Sequence, residues 1–262
     1  MRTPSDPFSL PSRLSALRSR APAGTPLYVH FPYCAAKCHY CDFFSLPAAG
    51  ADVEGAVETL LAEAELRAPS APRTVFFGGG TPSLLAPRQL VRLFERLEVL
   101  TGFRSSAIEV TLEANPESLD HEKARLLREL GVTRLSLGFQ SLRPRVLELF
   151  GRVHDVEQSF RAYEAARAAG IANINIDLIY GLPGQTPASM RALTAAITDL
   201  APDRLAVYSF ARVPWIKPQQ RKFRDDQIPA GAEKRELYEI ARDGLLAAGY
   251  VEIGMDHFAR PE

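Results

Sequence analysis

The sequence predicts an α/β fold: a partial (βα)6 barrel with parallel strands over residues 27–262, preceded by an amino-terminal arm at 1–26. Three observations carry this. Short β-type runs alternate with segments whose apolar residues recur at helical spacing, the mark of βα units on a parallel sheet. Several strands alternate strictly between apolar and polar residues, whereas a strand buried on both faces of a parallel sheet reads as a continuous apolar run. One face therefore meets a polar or ligand-filled lumen, which an open, splayed barrel provides. The last polar residues of three strands also fall at their carboxyl ends, where βα folds place their chemistry.

Residues 1–26 hold five prolines and the cations Arg2, Arg13, Arg18 and Arg20 against Asp6. That composition favours an extended, mobile arm. Its Arg- and Ser-rich balance also admits a transit peptide, against which the prolines count. The strand candidates are Leu27–Phe31, Arg73–Phe77, Ala107–Glu113, Arg134–Gln140, Asn173–Ile179 and Arg204–Phe210. Between them, helical spacing shows in Val53, Val57, Leu60, Leu61 and Ala64, and again in Leu90, Leu93, Phe94 and Leu97. Thr186-Pro187 reads as an N-cap followed by proline at the first helical position. A helix from about Gly231 to Ala248 leads to a last extended segment, Tyr250–Gly254.

Three strands show the alternation that implies a lumen. Ile108, Val110 and Leu112 oppose Glu109, Thr111 and Glu113; Leu135, Leu137 and Phe139 oppose Ser136, Gly138 and Gln140; Ile174, Ile176 and Leu178 oppose Asn173, Asn175 and Asp177. Glu113, Gln140 and Asp177 end the polar faces on one expected rim. A lone polar residue at a strand end is usually a cap or turn former; it is the convergence of three strands that points to a ligand. The second strand runs into Gly78-Gly79-Gly80-Thr81-Pro82, where missing side chains let backbone groups approach a ligand closely.

Charge excludes some partners. Lys+Arg and Asp+Glu are equal at 31 each, so no global field steers the chain to nucleic acid or an anionic membrane, and a small-molecule substrate fits better. No run of 18 apolar residues occurs and the amino terminus lacks the apolar core of a signal peptide, so the expectation is a cytoplasmic protein without a membrane span.

All three cysteines, Cys34, Cys38 and Cys41, lie in one loop just after the first strand. The Cys-x3-Cys-x2-Cys spacing suits a cubic iron–sulfur cluster held at three corners, leaving one iron open to a ligand. A zinc site completed by His30 or His39 is the competing reading, and soft thiolates favour either over hard cations.

With the aromatic Tyr40 before the third cysteine, this stretch resembles the signature of the radical S-adenosylmethionine (SAM) superfamily. The resemblance implies a [4Fe–4S] cluster whose open iron chelates SAM, and it makes the glycine motif a holder of the SAM amino group. Three later strings, Asn175-Ile-Asp-Leu-Ile-Tyr-Gly-Leu-Pro-Gly-Gln-Thr-Pro187, Pro202-Asp-Arg-Leu-Ala-Val-Tyr208 and Ile253-Gly-Met-Asp-His-Phe-Ala-Arg-Pro261, are similar to the oxygen-independent coproporphyrinogen III oxidase (dehydrogenase) family of haem biosynthesis. Position by position, that likeness implies SAM contacts from Tyr28, Tyr40, Gly79, Gly80, Thr81, Glu113, Gln140, Arg152, Asp177 and Ala211, with two SAM molecules in one site. It further implies a tetrapyrrole substrate, a reductant such as flavodoxin or ferredoxin, and a monomer. The implied reaction cleaves SAM with one electron to give a 5′-deoxyadenosyl radical, which takes hydrogen from a propionate β-carbon before CO2 and an electron leave.

Three departures accompany this. Phe43 stands where the enzyme's motif usually has a fourth cysteine; Cys41-Asp-Phe, Gly80-Thr-Pro-Ser-Leu84 and Leu112-Glu-Ala-Asn-Pro116 resemble the related haem chaperones; and the sequence stops at Glu262, where both relatives continue into a domain covering the barrel. A chaperone that binds haem without decarboxylation is thus the alternative. Finally, Ala211–Arg224 carries Arg212, Lys217, Arg221, Lys222 and Arg224 without an acid, which suggests a loop for substrate carboxylates.

Overall fold

The computed structural model describes residues 21–261. Residues 1–20 of the expected arm lie outside the described residues. Its last six residues are tied to the body, with Ala21 and Gly24 N–H donating to the carbonyls of Arg67 and Ser70. The chain then enters β1 (Leu27–Phe31), a two-residue β2 (Tyr33–Cys34) and β3 (Leu46–Pro47), which pair with each other in parallel across the cysteine loop.

Repeating units follow: α1 (Val53–Arg67), β4 (Thr74–Gly79), α2 (Pro87–Thr101), the single turn α3 (Phe103–Ser106), β5 (Glu109–Ala114), α4 (His121–Glu129) and β6 (Arg134–Gln140). After them come α5 (Pro144–Leu149), α6 (Val156–Ala168), β7 (Asn173–Tyr180), α7 (Pro187–Leu200), β8 (Arg204–Ser209) and α8 (Gly231–Ala247). Local rules account for the helix starts. Asp52, Asp120, Asp155 and Thr186 each accept a first-turn N–H with their side chains, as N-caps do.

Among the described residues the main sheet has eight strands in the order β1-β4-β5-β6-β7-β8, then β10 (His257–Ala259) and β9 (Val251–Gly254). The first six are parallel, as expected for six βα units, and among the described residues β1 is an edge strand, so the barrel is open there. At the far edge, β9 and β10 form a hairpin, with β10 antiparallel to β8. The sequence suggested only one extended segment there.

The outer face of the sheet packs on the helices. Val75, Phe77, Leu112, Leu135, Ile174 and Ile176 are buried against residues such as Leu90, Leu93, Phe94 and Leu97, which form the helical stripe that spacing predicted. The Phe77 and Phe94 rings stack at 4.3 Å. One assignment is corrected: Ile108 is 71% exposed and precedes β5, because the strand starts at Glu109. Among the described residues no helix is long and apolar enough to cross a membrane.

Because Phe94 is fully buried between β4 and Phe103, Phe94→Ala leaves a cavity under the strand that ends in the glycine motif. Denaturant unfolding should show a loss of about 3–5 kcal/mol.

Candidate active site

The inner face of the sheet surrounds a cavity of about 540 Å³. Phe76, Glu113, Arg134, Ser136, Gly138, Asn175, Asp177, Ile179 and Tyr208 line it from five adjacent strands. The polar alternation in the sequence is therefore the lumen wall. All three cysteines line the same cavity, as do Tyr40, Gly79, Gly80, Thr81, Gln140, Arg152 and Ala211. Tyr28 is the expected contact that the structure leaves out of the lining: it lies 56% exposed on the edge strand, its hydroxyl 3.1 Å from His30 Nδ1.

The glycine motif brings two segments together. Gly80 N–H donates to the Phe31 carbonyl at 2.6 Å and Thr81 N–H to that of Tyr33 at 2.8 Å, so the motif is bonded to the chain entering the cysteine loop. A Cβ on Gly80 would lie 2.4 Å from the Tyr33 carbonyl oxygen, and Gly79 adopts φ +108°, so both positions demand glycine. Gly79 N–H donates to Glu113 Oε2 at 3.0 Å.

Arg152 is the electrostatic hub. Its guanidinium lies 3.4 Å from Cys38 Sγ and 3.3 Å from the Tyr40 hydroxyl, and donates to Asn115 Oδ1 and the Gly138 carbonyl, both at 2.8 Å. Burial works against its charge, but Tyr40, Cys38 and Glu117 outweigh that and keep it protonated. Burial also pushes the Cys38 thiol up, with Arg152 pulling it back toward the thiolate. Lys37 Nζ lies 3.8 Å from Cys41 Sγ, adding a second cation beside the thiols.

Two of the carboxylates that line the cavity, Glu113 and Asp177, hydrogen-bond to neutral groups rather than to these cations. Burial raises Glu113 to about 7, helped by the Asp177 charge and resisted by Gly79 N–H. Burial raises Asp177 to about 6, against hydrogen bonds from Asn175 and Ser136. A cavity with two reluctant carboxylates favours a ligand that brings positive charge.

The donor set fits a cluster better than a single ion. The cysteines are free thiols on one cavity wall, flanked by two cations that offset thiolate charge. Among the described residues, both histidines that the zinc alternative would call on are engaged elsewhere. His30 has its nitrogens against Tyr28 Oη and the Phe44 carbonyl, and His39 Nδ1 faces the Leu149 carbonyl and Lys222 Nζ. Among the described residues no three His, Cys, Asp or Glu side chains converge tightly enough for one metal ion.

Of the basic loop after β8 only Ala211 lines the cavity, and most of its cations have partners elsewhere. Arg212 donates to the Phe223 carbonyl and pairs with Asp225, Lys217 reaches Asp42, Lys222 meets His39 and Arg224 pairs with Asp226. Only Arg221 of the five has no such partner among the described residues. Sequence reasoning in turn missed Asn115, Arg134, Tyr208, Met255 and His257 as lining residues. Arg134 was reachable by continuing the period of two backward from Gln140 through Ser136; Met255 and His257 depend on the hairpin.

Glu113 gives a pH test. Its folded pKa lies above its ordinary value, so its contribution to stability is present in acid and lost as pH rises through about 7. Glu113→Gln keeps an acceptor for Gly79 N–H and abolishes the ionisation. In denaturant unfolding the variant should gain stability over wild type between pH 5 and pH 8, by on the order of 2–3 kcal/mol at the alkaline end. Parallel pH profiles would show that Glu113 ionises freely.

Comparison with known proteins agrees with this geometry. A family model described as the radical SAM superfamily matches residues 28–196. The oxygen-independent coproporphyrinogen III oxidase of Bradyrhizobium diazoefficiens is 37% identical over 252 residues, 93% of this chain and 56% of its own length. That of Pseudomonas aeruginosa is 37% identical over 259 residues, 95% of this chain and again 56% of its own. The chain thus spans about half the length of the curated relatives it matches. Among solved structures, coproporphyrinogen III oxidase (HemN) from Escherichia coli, described as a radical SAM enzyme, superposes with a TM-score of 0.85 at 33% identity, covering 97% of this chain and 60% of that one. Methylornithine synthase shares the fold alone, with a TM-score of 0.56 at 14% identity over 84% of this chain and 62% of that chain. Three half-buried thiols, a glycine turn and a carboxylate-lined lumen at the carboxyl ends of six parallel strands are therefore read together with the family match over 28–196: this chain belongs to the radical SAM superfamily.

Proposed function

We propose that the chain serves the oxidative decarboxylation of coproporphyrinogen III, converting two propionates to the vinyl groups of protoporphyrinogen IX in anaerobic haem biosynthesis. The observation that carries this reading is the continuity of likeness to proteins of that activity: identities of 34–37% run over 90–95% of the chain. The family implies a [4Fe–4S] cluster and SAM, and the donor set described above fits them. When bound, they supply a one-electron cleavage and a radical that abstracts hydrogen.

The chain's own residues prepare the site. Cys34, Cys38 and Cys41 would hold the cluster, with Arg152 and Lys37 offsetting thiolate charge. The turn Gly79-Gly80-Thr81 admits close backbone approach, and Glu113 and Asp177 would offset positive charge on bound SAM from the lumen wall. Ionisation of these carboxylates costs less with a cation present, so SAM binding tightens as pH rises through about 6–7. Phe76 and Ile179 would supply apolar wall beside a reactive intermediate. Two SAM molecules in one site, a flavodoxin or ferredoxin reductant, a monomeric state and a cytoplasmic location belong to the same reading.

Phe43 favours a second reading, the haem chaperone. It lies 69% exposed and lines the cavity where the enzyme's motif carries a fourth cysteine. One anaerobic assay separates the two: reduced protein with SAM and coproporphyrinogen III should yield protoporphyrinogen IX together with 5′-deoxyadenosine. SAM cleavage with tight haem binding and no decarboxylation would assign the chain to the chaperones.

A further inference from the structure

The cysteine loop has no regular structure of its own. Residues 35–45 contain neither helix nor strand, yet a cluster needs three sulfurs in fixed positions. Within it Lys37 Nζ donates to the Phe43 carbonyl and Ser45 Oγ, and from outside the segment after β8, residues 211–227, bears on it at three neighbouring points.

Gln220 is the central contact. It sits in a 3-10 turn among exposed charges and is itself fully buried. Its Oε1 accepts from Val213 N–H at 2.6 Å, while its Nε2 donates to the carbonyls of Ala211 at 3.1 Å and Tyr40 at 3.3 Å. One amide thus joins its own segment to the residue before Cys41, across 180 positions of sequence. On either side, Lys222 Nζ meets His39 Nδ1 at 2.6 Å, and Lys217 Nζ donates to the Asp42 carbonyl at 3.2 Å. Residues 39, 40 and 42 are held in succession around Cys41.

An apolar bed lies beneath. Phe223 packs with Phe150 and Phe210 at ring distances of 5.3 and 5.6 Å, Tyr40 packs on Phe150 at 5.0 Å, and His39 N–H donates to the Phe150 carbonyl at 2.9 Å. These residues form a small core of their own, separate from the main one. Strap and cysteine loop therefore share a local core as well as polar ties.

We propose that Gln220, with Lys222 beside it, is a positioning residue: the strap at 211–227 holds the cysteine loop in its ligating conformation, and retention of the cluster depends on it. This rests on the reading of Cys34, Cys38 and Cys41 as cluster ligands. Removing the Gln220 amide takes one buried hydrogen-bonding group away from the Tyr40 and Ala211 carbonyls and Val213 N–H at once, so the loop relaxes toward water rather than remain in place.

Gln220→Leu, Lys222→Met and the control Gln219→Ala are compared with the wild-type chain by two measurements. In the metal-free proteins, amide hydrogen exchange over residues 38–42 should quicken about tenfold in Gln220→Leu and several-fold in Lys222→Met, with Gln219→Ala unchanged. In reconstituted proteins, loss of visible iron–sulfur absorption to a chelator should accelerate in the same order. Lys222 is exposed, so Lys222→Met should keep the wild-type melting temperature, which separates loop positioning from a general loss of stability. Wild-type exchange and cluster-loss rates in both variants would overturn the proposal, as would faster cluster loss in Gln220→Leu alone that merely tracks a lowered melting temperature. A wild-type chain that takes up no iron would overturn the ligand reading and the cluster half of the proposal, while the exchange data would still decide whether the strap holds the loop.

Discussion

A side chain that is missing sets the geometry of this molecule. At Gly80 the backbone passes so close to Tyr33 that a Cβ would sit 2.4 Å from its carbonyl oxygen, and two hydrogen bonds, from Gly80 N–H to Phe31 and from Thr81 N–H to Tyr33, use that proximity. They fasten the end of β4 to the chain just before Cys34. The first cysteine is thereby fixed relative to the glycine turn, and Gly79 N–H in turn orients Glu113 across the lumen. Thiol, turn and carboxylate belong to three βα units, and this close backbone approach is what lets them share one rim.

Charge in the site is arranged by sector. Arg152 and Lys37 lie against the thiols, where negative charge collects on ligand formation, while Glu113 and Asp177 stand on the lumen wall without a cation in hydrogen-bond contact. Low dielectric strengthens both halves. Arg152 pulls the Cys38 thiol back toward the thiolate that burial disfavours, and burial makes ionisation of Glu113 and Asp177 costly until a cation arrives. A chain with no net charge thus builds a strongly polarised cavity.

Much of this was legible in the sequence because parallel strands with one wet face leave a period of two. β1 and β6 match their expected bounds, and Glu113, Gln140 and Asp177 all reach the cavity. What was not legible depended on distant or unusual contacts. The β9–β10 hairpin turns through Met255 and Asp256, both at positive φ, in place of the Asn-Gly or Asp-Gly pair that marks such turns. Gln140 also has positive φ, at 66°, which coincides with a register shift against β7 and carries no sequence signal. The basic segment at 211–224 read as a carboxylate-binding loop because its acidic partners lie just past the window, at Asp225 and Asp226, or far back in the chain, at Asp42.

The central claim is that three thiols on this rim hold one iron–sulfur cluster. Anaerobic reconstitution followed by iron and sulfide analysis tests it most directly. About four irons and four sulfides per chain are expected, lost when any one of Cys34, Cys38 or Cys41 is changed to alanine. One tightly held zinc per chain, with no iron–sulfur absorption, would contradict it.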